Sequence, residues 1–567
     1  MRIRQAIYLS IIPALAACNP PQPPEVPPAP PPPIVTAPAA PGAPAAAADD
    51  FRKAAPAPGP EVTFSPPRIE EAKLANGVRV LVVERHELPI VAVEIATDRG
   101  ADQVGPAIGA FAGDMLVQGT KRRGALEFSD AMGKLGASYG AWVGYDSGGV
   151  SGQSLAPKLG EMLSLLAEAY TSPAFAKAEV DRERARRITA LAEMNDRPSS
   201  LLTITLGRTL YPAGHPYSVP LLGTEEALKK VTPADLSRFH AAHFQPDRTT
   251  IAFAGDITRA EAIQQAERVL GGWKGTAAQA KDPEAPPALA AGAPPILVVD
   301  RPKLTQSTVV VALPGVPRST PDYEAILVMN TILGGKFSSR LNMNLREKHA
   351  YTYGARSGFD MRHGPGPFSA GGAIVRESTG PAVKEIFSEI RRMRGELVSA
   401  EELEDAKSNL IRQLPARFET AGATASTLSS LAIYRLPLDE FATRAAKIQR
   451  VTPGDVRRVA EAYLVPERMR VVMVADASAV REQLAALGLG AVDVQGAPGG
   501  TAPTAAQAKP PQAKEPGKPA PPTTPQPPPP AKATPPAKAP VEATSPAKAT
   551  PPAKATPPAK APQGKTP

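Results

Sequence analysis

The residues able to do chemistry are few. Cys18 is the only cysteine among 567 residues, and it closes the stretch Leu15-Ala16-Ala17-Cys18. Arg2 and Arg4 precede an apolar run from Ala6 to Ala17. That layout is a secretory signal peptide ending in a bacterial lipobox. A lone thiol makes no internal disulfide, so acylation of Cys18 is the expected chemistry. Several acyl chains, at about 0.8 kcal/mol per buried methylene, anchor a protein stably. The six histidines offer little. His240 and His243 stand three apart on an expected helix, the spacing of a ligand pair, while His86, His215, His349 and His363 are scattered. A packing or surface role is expected for the pair.

The elements that position these residues occupy only part of the chain. The 68 prolines gather at its two ends. Segment 19–64 is Pro/Ala-rich, and 493–567 repeats Lys-Ala-Thr-Pro-Pro-Ala. Neither has apolar periodicity, and both read as disordered, polyproline-like tethers of about 3.1 Å per residue. From Gly496 on, the tail holds nine lysines and two acids, so it carries most of the net charge of +9. A nucleic-acid-binding core is therefore not expected. Outside the cytoplasm such a tail suits anionic envelope polymers or lipid heads; it equally suits a solvated spacer. No later run is long and apolar enough to span a bilayer.

The remainder is a duplication. Val231-Thr232-Pro233-Ala234-Asp235-Leu236 recurs 220 residues on as Val451-Thr452-Pro453-Gly454-Asp455-Val456. Pro246, Arg248 and Asp256 recur as Pro466, Arg468 and Asp476. Leu81-Val82-Val83-Glu84-Arg85 matches Leu297-Val298-Val299-Asp300-Arg301. In each copy Thr-Pro opens a helix with an N-cap and a first-turn proline, and an apolar strand follows. Residues 1–18 are then the signal and lipobox, 65–274 and 296–492 two homologous domains, and 275–295 an Ala/Pro-rich linker. Strands are expected over 78–83 and 90–96, helices over 108–116, 159–170 and 180–194, and strand-like structure over 137–154. The plan is α+β, a sheet with helices on one face.

Over residues 65–490 the chain resembles the pitrilysin/insulinase (inverzincin) family of zinc peptidases. The resemblance rests on Leu74-Ala75-Asn76-Gly77-Val78-Arg79-Val80, Gly119-Thr120 and Gly214-His215-Pro216-Tyr217. In the second half it rests on Leu333-Gly334-Gly335, Ser338-Ser339-Arg340-Leu341 and Leu345-Arg346-Glu347-Lys348 leading to Tyr353. It implies two sheet-plus-helix-layer domains, as in the mitochondrial processing peptidase subunits. The family's catalytic helix carries His-x-x-Glu-His, two zinc ligands one turn apart with a general base beside the second. Here the five positions are Ala110-Phe111-Ala112-Gly113-Asp114. Only Asp114 can ligate, and Ala110, Gly113 and Asp114 mark a degenerate motif with no zinc. The downstream glutamate ligand would fall near Glu193, which reads as a surface helix carboxylate. His240 and His243 lie where the family has aromatic packing residues.

What the resemblance retains is the other half of the site. Active members use an arginine and a tyrosine seven residues apart, and Arg346 and Tyr353 have that spacing. A guanidinium and a phenol hold a substrate carbonyl and favour the developing oxyanion. Ala350 stands where the family usually has glycine, and Tyr351 where it has leucine. Many bacterial members work as two chains, one supplying His-x-x-Glu-His and zinc, the other Arg and Tyr. The expected role is therefore the non-catalytic subunit of a two-chain metallopeptidase that degrades or processes peptides. The expected place is the periplasm-facing envelope, at the outer membrane, since Asn19 is not the aspartate that retains lipoproteins at the inner one. The alternative is an inert envelope scaffold of the same fold. Substrate and partner are open at this level.

Overall fold

The structure is a computed structural model describing residues 64–279, 282–285 and 295–496. Cys18, the Pro/Ala-rich segment up to residue 63 and the Lys/Pro/Ala tail from residue 497 on lie outside the described residues; residues 493–496, expected in that tail, instead finish an edge strand paired with Ile296–Asp300. Two six-stranded sheets carry the fold. The first contains β1 (Glu70–Lys73), β2 (Arg79–Glu84), β3 (Ile90–Thr97), β4 (Ser138–Val143), β5 (Gly148–Leu155) and β6 (Thr249–Gly255), in the order β1-β2-β6-β3-β5-β4. The second contains β7 (Ile296–Asp300), β8 (Gln306–Pro314), β9 (Thr352–Phe359), β10 (Pro367–Val375), β11 (Arg470–Ala475) and β12 (Val492–Gly496), in the order β12-β7-β11-β8-β10-β9. Five strands correspond one to one, so the sequence duplication is a duplication of topology. In both sheets a corresponding parallel pair, β2 with β6 and β7 with β11, joins strands far apart in sequence, and β12 adds a second parallel pairing to β7.

The repeated Val-Thr-Pro-x-Asp segments become matching helix starts. Thr232 and Thr452 each accept a hydrogen bond from the backbone N–H of the aspartate three residues on, at 3.3 and 3.1 Å. In return, the Asp235 and Asp455 carboxylates accept from the threonine N–H at 2.9 and 3.0 Å. Each such capping box contributes about 1 kcal/mol.

The expectation of helices on one sheet face only is corrected by the structure. One face of the first sheet packs Val80, Val82, Val93, Ile95 and Phe253 against its own helices. The other face, Leu81, Val83, Ala92, Ala252 and Ala254, is covered by Ala425 and Leu428 of the Ala421–Ile433 helix from the second half. The exchange is reciprocal. Leu201, Leu202, Leu206 and Leu210, on the Pro198–Leu210 helix of the first half, cover Leu297, Val299, Val472 and Val474 of the second sheet. Each sheet is apolar on both faces, and neither half can bury its outer face alone. No helix among the described residues is long and apolar enough to cross a membrane.

One acid interrupts this clasp. Glu94 of β3 is buried beside Ser429, with its carboxyl held above the usual range by burial, against the lowering effect of the nearby Ser429 hydroxyl. The folded state thus holds the proton more tightly than the unfolded chain. Stability falls as pH rises from the ordinary glutamate value of 4.5 through the raised native one, and stays lower above it. Glu94→Gln is therefore expected to stabilise the protein at pH 7 by about 1 kcal/mol, the scale of one badly solvated polar group. Urea unfolding at pH 7 and pH 4 checks it: the gain must shrink at the lower pH.

Candidate active-site remnants

The Pro106–Met115 helix starts with proline in its first turn, after Gly105 at φ 91°. It carries Ala110, Gly113 and Asp114. Gly113 is packed too tightly to be anything larger. A Cβ there would stand 2.6 Å from the backbone nitrogen of Val143 in β4, and one on Gly109 would stand 2.6 Å from the Cα of Ala101. Contacts at that distance force the backbone apart. The helix thus rests directly on its neighbours, and a glutamate at position 113 has no room.

A charge cluster fills the ground beside it. Arg187, on the Lys177–Asp196 helix, is 2% exposed and among the largest fully buried side chains. Its Nη2 donates to the Ala110 carbonyl at 2.6 Å and to Asp114 Oδ2 at 2.7 Å. Its Nε donates to Glu183 Oε1 at 3.2 Å, and its guanidinium lies 5.0 Å from the Phe111 ring centre. Arg186 bonds Glu183 at 2.6 Å and Asp114 at 3.1 Å. Burial pushes both carboxyls up. For Glu183 the bond and charge of Arg186 more than offset it, so that carboxyl sits low; Asp114 stays above its usual range. With no histidine present and both carboxylates committed to Arg186 and Arg187, this donor set does not fit a catalytic zinc. Glu193 is 62% exposed, with Arg197 at 3.8 Å as its ion-pair partner. Sequence reasoning missed Glu183, Arg186 and Arg187. Their signal was a glutamate followed three and four residues later by arginines on one helix face.

Arg346 and Tyr353 lie elsewhere, in the second half. Arg346 lies within a helical segment of π-type winding, Met343–Lys348, that continues Arg340–Asn342. Its guanidinium lies 4.6 Å from the Phe337 ring centre and 3.5 Å from Glu347. Tyr353 sits on β9, the outermost strand of its sheet, and is 89% exposed. Phe337 and Met343 are exposed too. The helix is tied to the strand by buried Asn342, whose Nδ2 donates to the Phe337 carbonyl at 2.7 Å and whose Oδ1 accepts from the Ala355 N–H at 3.2 Å. Between them the Ala350 N–H donates to the Arg346 carbonyl at 3.0 Å, and the Tyr351 N–H to Leu345 at 2.8 Å. Ala350 takes φ 54°, a left-handed turn that glycine adopts without strain. The substitution at Ala350 therefore keeps the turn and strains it.

The other histidines divide. His240 is buried, with Nε2 at 2.7 Å from the Tyr170 carbonyl and its ring stacked 4.9 Å from Phe244; burial lowers its pKa to about 4. His243 is buried against Phe239. His363, scattered in the sequence, is brought beside Asp102 and Asp146, the one group among the described residues that could hold a metal ion.

These features coincide with a known family. The model of the insulinase peptidases, family M16, matches residues 91–225, and that of the peptidase M16 inactive domain matches 230–410. Together they span more than half of the chain, which belongs to this family. A zinc protease of Rickettsia bellii, so named but uncharacterized, is 24% identical over 344 residues, 60% of this chain and 81% of that protein. A similarly named protein of Streptomyces coelicolor is 23% identical over 405 residues, 70% of this chain and 87% of its own length. Among solved structures, a peptidase M16 inactive domain from Pseudomonas fluorescens superposes with a TM-score of 0.66 at 26% identity, covering 72% of this chain and 98% of that one. The first half of the periplasmic protease PqqL from Escherichia coli shares the fold at a TM-score of 0.60 and 16% identity, covering 74% of this chain and 95% of that one. The chain is thus an M16 homologue, peptidase-like in fold.

Proposed function

We propose that this chain is the non-catalytic subunit of a two-chain zinc metallopeptidase of the cell envelope. The observation behind this reading is the contrast between its two remnants. The helix that would hold zinc and base is sealed by Arg187 and by the close packing of Gly113. The Arg346/Tyr353 pair stands open, with a tyrosine that leaves most of its apolar surface unspent on its own fold. A scaffold has no use for that exposure. A subunit lending oxyanion-holding donors to a partner's zinc centre does. The partner is a paralogous chain bearing His-x-x-Glu-His, with zinc on that chain, and the substrates are peptides.

Incubating the purified chain with a peptide mixture or casein tests this. Alone it should cleave nothing. Mixed with its His-x-x-Glu-His partner it should cleave, and a chelator should abolish the activity. Chelator-sensitive cleavage by the chain alone overturns the reading, and a stable pair with no cleavage favours the scaffold.

The envelope location rests on Cys18. Cys18→Ser should move the protein from the membrane fraction to the soluble periplasm without changing its unfolding midpoint. If it still sediments with membranes, the anchor lies elsewhere. Asn19 after the lipidated cysteine favours the outer membrane.

A further inference from the structure

We propose that Asp102, Asp146 and His363 form a binding site for one divalent cation of the zinc and manganese class, joining the two halves of the molecule. The three residues come from three turns. Asp102 lies in the short turn Ala101–Gln103 after β3, Asp146 in the β4–β5 turn, and His363 in the β9–β10 turn of the second half. One ligand atom from each lies within 4.8 Å of the others. Ligands held about 2.1 Å from one ion stand about 3–4 Å apart, so small side-chain rotations close the set.

The tautomer of His363 gives the argument its direction. The ring is 6% exposed, and its Nε2 stands 2.9 Å from the Ile433 carbonyl. A carbonyl only accepts, so Nε2 carries the hydrogen. In the neutral ring, Nδ1 then presents a bare lone pair, and this buried atom has no hydrogen-bond partner. It faces acceptors: Asp146 Oδ1 at 4.0 Å and Asp282 Oδ1 at 3.9 Å. Lone pairs facing one another across that gap need something positive between them. A ring whose far N–H is anchored on a backbone carbonyl, with the near nitrogen free, is the usual arrangement of a metal-bound histidine.

The carboxylates are built to match. Asp146 is 4% exposed and held in place by Tyr217 Oη on Oδ1 at 3.1 Å, and on Oδ2 by the His363 N–H at 2.9 Å and Tyr434 Oη at 3.3 Å. Asp102 accepts from the Gly100 N–H and the Gln103 amide. Burial pushes its carboxyl up to about 6; the Gln103 bond opposes this, and the nearby Asp146 charge adds to it. Among the described residues no arginine or lysine is ion-paired with either carboxylate. The nearby guanidiniums are committed elsewhere: Arg99 bonds Asp282 at 2.7 Å, Arg362 pairs with Asp360, and Arg435 pairs with Asp98 and Asp282. One nitrogen and two oxygens suit zinc or manganese better than calcium. Asp282 is held by Arg99 and Arg435, so water completes the set. Because the ligands come from both halves, the ion closes the clasp described above.

The full-length protein, extracted in detergent and stripped with EDTA, is titrated with zinc chloride and separately with manganese, magnesium and calcium chlorides. Bound metal is read by elemental analysis after desalting, and melting is followed in parallel. One zinc or manganese ion per chain is expected, with a melting point raised by several degrees. His363→Ala and, as the milder variant, Asp102→Asn are each expected to weaken binding at least about 10–100-fold, the loss seen when a metal's supporting residues are removed. Asp114→Asn should leave it unchanged. Failure to retain any ion, or retention at wild-type strength in both Asp102→Asn and His363→Ala, overturns the proposal. An ion lost in Asp114→Asn but kept in His363→Ala places the metal at the peptidase helix instead, and counts against the non-catalytic reading as well. Wild-type protein with the ion bound and no peptide cleavage separates this site from catalysis.

Discussion

In the proposed two-chain complex, Arg346→Ala or Tyr353→Phe is expected to lower peptide turnover by about 10²–10³, the loss typical of one donor that stabilises a developing oxyanion. The physical basis is the timing of charge. A substrate carbonyl is weakly polar until the nucleophile attacks, and a prepositioned donor gains most at that moment, so the loss falls on kcat rather than KM. Both groups are preset for such a task. Arg346 is steadied by the Phe337 ring, and Asn342 bonds its helix to the strand bearing Tyr353. Ordinary surface substitutions change stability by only about 0.5 kcal/mol, so the two kinds of residue separate cleanly. Co-purification with the partner is the necessary control, because a broken complex mimics a dead site. An assembled variant complex that cleaves at the wild-type rate assigns both residues to structure and favours the scaffold.

Arg187→Ala is expected to destabilise the chain by about 3 kcal/mol. Removing one partner of a buried ion pair strands the other, at a cost of about 3–5 kcal/mol. The lower end applies because Arg186 still bonds both Glu183 and Asp114. The Ala110 carbonyl also loses its donor. The double variant Asp114→Ala/Arg187→Met should recover much of the loss, since apolar replacements remove the stranded charge along with its partner. Denaturant unfolding of Asp114→Ala, Arg187→Met and the double gives the coupling directly. A cost below about 0.5 kcal/mol for Arg187→Ala would show that the cluster does not hold the helix.

Much of the architecture was legible in the sequence because its signals are local. The Thr-Pro-x-Asp caps at Thr232 and Thr452 depend on neighbours three residues away, and they fold as read. The strands around Val82 and Val298 follow from short apolar runs. Those runs held a further message. Leu81-Val82-Val83 and Leu297-Val298-Val299 do not alternate with polar residues, the mark of a strand buried on both faces. A plan with helices on one face left Leu81 and Leu297 without cover, and the covering helices come from the opposite half.

The sequence by itself determined the duplication, the absence of His-x-x-Glu-His and the seven-residue spacing of Arg346 and Tyr353. Each is a matter of residue identity and order. Tertiary structure alone decided what stands in the place of the lost ligands, because Asp114 and Arg187 meet across 73 residues. It alone decided that each half clasps the other, since burial of the outer sheet faces is settled by packing between segments more than eighty residues apart. It also decided that His363, which no spacing rule connects to any acid, lies 4.0 Å from Asp146 across 217 residues. Long-range proximity of charges leaves no periodic trace in a chain; it exists only once the hydrophobic faces have been paired.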